Sequence, residues 1–300
     1  MKPSVNIWQE SRPARVSGEW KTGRPAPGFV TIAIMSLVEA RRLRKTFRSG
    51  QSGLGLRTTS EVLAVRDVSL SIEAGETLGL VGESGSGKST LGRLLLRLVE
   101  PDGGEVRFDG HDVLRARGAE LRRLRRDMQI IFQDPFGSLD PRMTVEQIVG
   151  EPMAIHGGGQ GQGRRQRAAE VLRAVGLDES ALGRYPHEFS GGQRQRIGIA
   201  RALVLRPRFI VADEPVSALD VSVGSQLVNL LQGLQREFSL TYLFISHSMP
   251  LVRYLADRIA VMQRGEVVEV GTTEQITTAP RHPYTRTLLE ATPEMEVEPG

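Results

Sequence analysis

The sequence contains no cysteine, only four lysines and no long apolar run. Without cysteine the chain cannot form disulfides, thiolate zinc sites, iron–sulfur clusters or cysteine nucleophiles. No apolar stretch approaches the roughly 18 residues that a membrane-spanning helix needs. Residues 1–28 are polar and contain proline, which is unlike a secretory signal peptide. The proportions of hydrophobic (39%) and charged (25%) residues are those of an ordinary soluble globular protein.

The positive charge is small and is carried almost entirely by arginine. The formal net charge is +4 and the isoelectric point is about 9.7. Such a charge is weak evidence for nucleic-acid binding and is equally compatible with an anionic membrane surface. The basic run 115–126 is interpreted as a solvated helix, with a nucleic-acid face as the less favoured alternative.

Residues 1–34 differ in character from the rest of the chain. They contain Pro3, Pro13, Pro25 and Pro27 and show no hydrophobic periodicity, so we expect disorder there. A strand-like pattern begins at Met35 with "MSLVEARRLRKTF". The hypothesis is that Met35 is the true start and that residues 1–34 are a misassigned extension.

Apolar strands alternate with helical segments along most of the remaining sequence. Residues 62–72 alternate as a half-buried strand, residues 75–82 form an apolar strand, and residues 89–101 are predicted as a helix stopped before Pro101. Further strand–helix alternation follows after residue 205. This order predicts an α/β fold, a mainly parallel sheet flanked by helices. The helical block at about 143–205 is predicted to be a subdomain.

The stretch "GESGSGKST" matches G-x-x-x-x-G-K-S/T between a predicted strand and a predicted helix. Its backbone N–H groups and the helix start favour phosphate binding. Lys88 can reach the outer phosphates, and the Ser89 hydroxyl can bind Mg²⁺. The predicted nucleotide-binding residues of this loop are Gly82, Glu83, Ser84, Gly85, Ser86, Gly87, Lys88, Ser89 and Thr90.

Two adjacent carboxylates, Asp213 and Glu214, end the apolar strand "RFIVADEP". At the carboxyl end of a parallel strand beside a phosphate loop, Asp213 is placed to hold Mg²⁺. Glu214 faces the other way and is the candidate catalytic residue that polarises the attacking water.

Three weaker candidates lie near other predicted strands. Gln133 is a candidate for contact with Mg²⁺ and water, or an ordinary surface amide. His247 is a candidate catalytic residue at the γ-phosphate, or a structural histidine. Phe47 is a candidate for stacking on adenine, or a core phenylalanine.

A second stretch, "FSGGQRQRIGIARAL" (residues 189–203), also has the pattern of a helix start built to hold an anion. Ser190, Gly191, Gly192 and Gln193 are its candidate binding residues. One nucleotide-binding domain has no evident need for two such sites.

Together these segments resemble the ATP-binding subunit of an ABC transporter, over roughly residues 36–275. The matching stretches are the phosphate loop (Walker A), Gln133 (Q-loop), "FSGGQ" (signature), "IVADE" (Walker B), "SALD" ending at Asp220 (D-loop) and "SH" ending at His247 (H-loop). The resemblance implies a P-loop NTPase core with an antiparallel β part and a helical subdomain. It also implies a head-to-tail pair in which ATP lies between the Walker A loop of one subunit and the signature of the other, with Asp220 at that interface.

Two further stretches resemble the dipeptide and oligopeptide importer group. These are "IFQDPFGSLDPRMTV" (residues 131–145) and "PRHPYTRTLLEATP" (residues 280–293), the latter within a predicted tail at 276–300. Nickel, glutathione and certain sugar importers share these stretches and remain alternatives for the substrate. Some members carry an iron–sulfur cluster, which a chain without cysteine cannot hold.

The resemblance implies ATP and Mg²⁺ as cofactors and a peripheral position on the cytoplasmic face of the membrane. The implied partners are a second ATPase subunit, homologous or paralogous, two transmembrane permease subunits and, indirectly, a substrate-binding protein; no nucleic acid is expected. A DNA-associated ABC ATPase remains the remote alternative, although its usual zinc cysteines or long coiled-coil insertion are missing here.

If Met35 is the true start, the native protein lacks residues 1–34 and therefore both tryptophans, Trp8 and Trp20. Intact-mass measurement of the protein purified from its native cells checks this. A mass that includes residues 1–34 would contradict the hypothesis.

Overall fold

The computed structural model describes residues 36–53, 56–134, 137–157 and 161–291. All of these residues lie in one compact unit, Met35–Gly300. The disorder and the misassigned start predicted for residues 1–34 lie outside the described residues, as does the end of the predicted tail from residue 292.

Strands make up the centre of the described unit, and they form two sheets. Numbered in chain order, the described strands are β1 (Val38–Gly53), β2 (Leu56–Ile72), β3 (Thr77–Val81), β4 (Gly103–Phe108), β5 (His111–Asp112), β6 (Met128–Ile131), β7 (Phe209–Asp213), β8 (Thr241–Ser246), β9 (Arg258–Gln263) and β10 (Glu266–Thr272).

Helices cover these sheets and fill the connections between strands. Within the described residues they are α1 (Lys88–Leu95), α2 (Gly118–Asp127), α3 (Val145–Ile155), α4 (Gln162–Ala174), α5 (Gly191–Leu203), α6 (Val221–Phe238), α7 (Met249–Leu255), α8 (Thr273–Thr278) and α9 (Pro283–Glu290), with 3-10 turns at Glu179–Gly183 and Pro186–Glu188.

The larger sheet has the strand order β10-β9-β3-β8-β7-β6. Every neighbouring pair from β9 to β6 is parallel, and β10 joins the edge as an antiparallel strand. In this register Val81 pairs with Ser246, and Asp213 pairs with Ile245. The carboxyl ends of β3, β7 and β8 therefore lie at one edge of the sheet, where ligands of open α/β sheets bind.

The smaller sheet, β2-β1-β4-β5, is antiparallel throughout. Its buried side chains include Leu43, Val65 and Phe108, and they share a core with α1 and with one face of the parallel sheet. It therefore forms the antiparallel β part of the predicted fold.

The parallel sheet separates two hydrophobic cores, and successive residues of its strands belong to different ones. On β8, Leu243 and Ile245 face the core shared with the antiparallel sheet. Tyr242 and Phe244 face the core that includes α3 to α6. Because side chains alternate along a strand, a strand buried on both faces is apolar throughout, which explains the continuous apolar runs in the sequence.

The helical block lies on the second core, where α3, α4 and α5 contact one another. Helix α3 begins at a capping box, in which Thr144 and Gln147 exchange side-chain and backbone hydrogen bonds. The predicted fold class, a P-loop NTPase core with an antiparallel β part and a helical subdomain, is confirmed. No helix in the described ranges has the length and apolar character needed to cross a membrane.

One predicted helix is shorter than expected. The helix predicted over 89–101 ends at Leu95. Arg97 has a left-handed backbone (φ 49°), and its guanidinium donates to the carbonyls of Val113 and Ala116. These tertiary hydrogen bonds compete with continuation of the helix. They join residues that are distant in sequence, so the local sequence does not predict them.

Candidate functional site

A cleft of about 820 Å³ lies at the carboxyl edge of the parallel sheet. It brings together residues that are far apart in the sequence but were predicted to act together. The predicted site residues that line it are Phe47, Ser84, Gly85, Gly87, Lys88, Ser89, Thr90, Gln133, Glu214 and His247. The remaining loop residues Gly82, Glu83 and Ser86 belong to the same turn between β3 and α1 but do not line the cleft.

The phosphate loop holds Lys88 in a buried position, with only 4% of its surface exposed. Its Nζ donates to the carbonyl oxygens of Gly82 and Glu83, both at 2.8 Å. Burial lowers the pKa of Lys88, and the nearby carboxylates of Glu214, Asp213 and Glu83 act in the opposite direction. An ammonium group fixed in this way is placed to meet negatively charged phosphate oxygens.

Gly87 shows why the loop needs glycine at this point. Its φ is +105°, and a Cβ there would lie 2.1 Å from the carbonyl oxygen of Ala64 on β2. The loop therefore passes too close to the neighbouring backbone for any side chain. Helix α1 begins directly after this glycine, and its first residues Lys88, Ser89 and Thr90 line the cleft.

Ser89 and Asp213 meet beside the phosphate loop, as predicted for a pair of Mg²⁺ ligands. The Ser89 hydroxyl donates to Asp213 Oδ1 at 2.6 Å, and Arg93 lies 3.8 Å from Asp213 Oδ2. Burial raises the pKa of Asp213, while the Ser89 hydrogen bond and the Arg93 charge lower it. Because Mg²⁺ prefers oxygen ligands and is usually held by one or two protein oxygens together with phosphates, this pair fits the ion.

Glu214 extends into the cleft from the end of β7. Its backbone is left-handed (φ 46°), and its N–H donates to the carbonyl of Ile245. The Oε2 atom lies 3.3 Å from Gln133 Nε2 and 3.1 Å from His247 Nδ1. The two successive carboxylates thus diverge, because Asp213 contacts Ser89 while Glu214 contacts Gln133 and His247. A carboxylate so positioned can accept a proton from a water at the γ-phosphate.

Phe47 lines the cleft from β1, and 42% of its surface is exposed. Lys45 Nζ lies 5.6 Å from the centre of its ring. An exposed ring in the cleft is available for stacking on an adenine base. Phe47 is therefore not the buried core phenylalanine of the alternative interpretation. Arg66 and Arg264 also line the cleft, and no motif in the sequence identifies them. Their positions follow from the fold of β2 and from the turn after β9.

Ser190, Gly191, Gly192 and Gln193 are not among the residues that line this cleft. They form the start of α5, where Ser190 and Gln193 make a capping box. The Gln193 N–H donates to Ser190 Oγ, whereas the N–H groups of Gly191 and Gly192 have no partner within the helix. N–H groups at a helix start can bind an anion, so this turn remains compatible with the predicted second anion site.

Asp220 caps helix α6, since its Oδ1 accepts the Val223 N–H at 2.9 Å. The segment that precedes it packs beside the signature. A Cβ at Gly191 would lie 3.5 Å from Leu219, and one at Gly192 would lie 2.5 Å from Val223. The signature turn and the D-loop segment therefore share one surface of the protein.

A separate groove of about 740 Å³ runs between the sheet and the helical block. Gln133 lines both this groove and the nucleotide cleft. Exposed apolar side chains in the groove include Leu98 and Ile155. Helix α5 supports its wall, because Gln195 donates to the Phe132 carbonyl and Arg201 donates to the Ser138 carbonyl.

Comparison with known families agrees with this geometry. Residues 65–217 match the model described as "ABC transporter", and residues 268–300 match "Oligopeptide/dipeptide transporter, C-terminal region". The chain belongs to the ABC transporter family. It is an ATP-binding subunit whose ATPase activity is coupled to transport, and the predicted resemblance to the oligopeptide/dipeptide group is confirmed.

Named relatives of this ABC transporter subunit include the dipeptide transport ATP-binding protein DppF of Lactococcus lactis subsp. cremoris. It is 51% identical over 260 residues, which cover 86% of this chain and 81% of the relative. The glutathione import ATP-binding protein GsiA of Salmonella typhimurium is 56% identical over 243 residues, covering 81% of this chain but only 39% of that relative.

This ABC transporter subunit has the same fold as a solved ATP-binding cassette. The solved cassette is a dimer in a post-hydrolysis state, bound to ADP and Pi. The TM-score is 0.68 and the identity 33%, over 79% of this chain and 98% of that chain.

Lys88→Ala is expected to weaken ATP binding by about ten-fold or more, because charge-assisted hydrogen bonds to phosphate are lost. Titration calorimetry of the purified chain with ATP measures the change. The melting temperature without nucleotide serves as the control for folding. An unchanged ATP affinity would count against the role of Lys88 in the phosphate loop.

Proposed function

We propose that this ABC subunit supplies the energy for import of dipeptides or oligopeptides. The observation that carries the proposal is the nucleotide cleft in a chain whose residues 268–300 match the oligopeptide/dipeptide transporter C-terminal region. The unit 35–275 is assigned as the ATPase domain, with the helical subdomain at about 143–205. The segment 276–300 is assigned as the importer-type tail.

Two ATPase subunits act together in this proposal. The start of α5 does not line the nucleotide cleft of its own chain, which supports a role at the nucleotide of a partner. In a head-to-tail pair, Ser190 and the N–H groups of Gly191 and Gly192 would contact the γ-phosphate bound by the partner. Gln193 and Asp220 would complete the interface. ATP then holds two surfaces together, and its hydrolysis releases them.

Within the cleft, each side chain has a separate task. Phe47 stacks on adenine, while Lys88 and the loop N–H groups bind the phosphates. Ser89 and Asp213, with Gln133, would hold Mg²⁺, and the bound ion would offset phosphate charge. Glu214 accepts a proton from the attacking water. The oxygen of that water bonds to the γ-phosphorus, and ADP leaves. His247 orients Glu214 and contacts the γ-phosphate.

The groove beside Gln133 is proposed to receive a short helix of a permease subunit. It is open, it has the exposed apolar side chains Leu98 and Ile155, and it shares Gln133 with the cleft. A ligand that binds in the groove can therefore move the Gln133 side chain, whose amide donates a hydrogen bond to the Glu214 carboxylate. Two permease subunits and, indirectly, a substrate-binding protein complete the assembly at the cytoplasmic face of the membrane.

Glutathione import is the second candidate function. It is favoured by the 56% identity to a glutathione import protein, although this chain spans only 39% of that relative. Glutathione is itself a modified tripeptide, so the two candidates differ in the cargo that the permease and binding protein select. They do not differ in the chemistry of the ATP site.

Glu214→Gln is expected to keep ATP binding but to slow hydrolysis by about 10²- to 10⁴-fold, because the amide cannot act as the base. The variant should accumulate as a closed assembly with ATP. Phosphate release and size-exclusion chromatography with ATP measure these effects. The matched control is Glu274→Gln on the exposed start of α8. Turnover near that of the wild type would remove Glu214 as the base.

Cells that lack this gene are expected to lose uptake of labelled dipeptides and oligopeptides. Wild-type protein should restore uptake, whereas Glu214→Gln should not, because transport requires hydrolysis. Labelled glutathione is measured in the same cells. Loss of glutathione uptake with unchanged peptide uptake would replace the peptide assignment, and loss of neither would contradict both.

A further inference from the structure

The C-terminal helix α9 contacts the phosphate loop directly. The Glu83 N–H donates to the Tyr284 hydroxyl oxygen at 3.0 Å, across 201 residues of sequence. Tyr284 is itself nearly buried, with 8% of its surface exposed, and it belongs to the core that includes α7 and β9. The contact therefore joins the transporter-type C-terminal region to the part of the chain that binds nucleotide.

The contact falls on the peptide group that also holds Lys88. This group joins Gly82 to Glu83, and its carbonyl accepts from Lys88 Nζ at 2.8 Å while its N–H donates to Tyr284. One rigid, planar unit is thus fixed at both ends. If its N–H end turned, the carbonyl would turn with it and the Lys88 ammonium would lose one of its two backbone acceptors.

The backbone at this point depends on such fixing. Gly82 has a φ of +152°, and a Cβ there would lie 2.1 Å from the carbonyl oxygen of Met262. Glycine has more conformational freedom than any other residue. The hydrogen bond that the Glu83 N–H donates to Tyr284 therefore adds a restraint on a peptide group that follows a residue of high conformational freedom.

A second side chain sets the position of Tyr284. Glu269 on β10 accepts the N–H of Arg281 at 2.8 Å and the N–H of His282 at 3.1 Å, one on each carboxylate oxygen. His282 Nδ1 in turn accepts the Tyr284 N–H at 3.2 Å. These bonds fasten the start of α9 to the edge of the parallel sheet, two strands away from β3 and its phosphate loop.

We propose that Tyr284 is a positioning residue for ATP binding, which acts through the Gly82–Glu83 peptide group on Lys88, and that Glu269 acts through Tyr284. Neither side chain lines the nucleotide cleft. The C-terminal region thereby sets the affinity of the phosphate loop for nucleotide. This inference rests on the phosphate-loop role of Lys88 proposed above.

Tyr284→Phe removes the hydroxyl and keeps the buried ring, so the protein is expected to fold. The Kd for ATP and for ADP, measured by calorimetry on the full chain, should rise by about two- to ten-fold, the equivalent of one neutral hydrogen bond. Hydrogen–deuterium exchange at the Glu83 amide should become faster. In the transporter assembly, purified by an affinity tag on this subunit, KM for ATP should rise while kcat changes by less than about two-fold.

Tyr254→Phe is the matched control, because its hydroxyl donates to Asn229 Oδ1 at 2.8 Å between α7 and α6. It should leave ATP affinity and Glu83 exchange at wild-type values. Glu269→Gln should raise the Kd in the same direction as Tyr284→Phe. The double variant should be no weaker than Tyr284→Phe alone, because both changes act through one contact.

Unchanged Kd and unchanged Glu83 exchange in Tyr284→Phe would overturn the inference. Fully additive effects of the two substitutions would overturn the role given to Glu269. Lys88→Ala is measured in the same experiment, because it distinguishes failure of the Tyr284 inference from failure of the phosphate-loop assignment. If ATP binding depends on Lys88 but not on Tyr284, only the inference fails; if it depends on neither, the phosphate-loop assignment fails as well.

Discussion

The parallel register of β3, β7 and β8 is the constraint on which the nucleotide cleft depends. It pairs Val81 with Ser246 and Asp213 with Ile245, so that the three strands end within one residue of one another at one edge of the sheet. The phosphate loop, Glu214 and His247 each follow one of these strands, and they therefore lie at the same edge. The apolar strand residues that enforce this register are buried in two cores, so the forces that stabilise the fold also assemble the cleft.

Much of this arrangement could be predicted because its signals are local. Continuous apolar runs identified buried strands, and the glycine and lysine pattern of residues 82–90 identified the loop between β3 and α1. The divergence of Asp213 and Glu214 followed from adjacent positions at a strand end. Bringing Gln133 and His247 to Glu214 required only that their strands be neighbours in the same sheet.

Other features could not be predicted, because they depend on contacts between distant segments. The end of α1 at Leu95 depends on Arg97 and its carbonyl partners near residue 115. The hydrogen bond between Tyr284 and Glu83 joins residues 201 positions apart, and a tyrosine in an amphipathic helix carries no sign of such a partner. Likewise, the entry of Arg264 into the cleft follows from the turn that pairs β9 with β10.

The left-handed backbone of Glu214 has a consequence for how this protein can be stabilised. A residue with a Cβ gives up about 1–2 kcal/mol to adopt that conformation, whereas glycine does so freely. Glycine at position 214 would therefore relieve strain while removing the carboxylate from Gln133 and His247. Selection for heat resistance alone would favour this substitution. Such a selection must therefore also require ATP turnover.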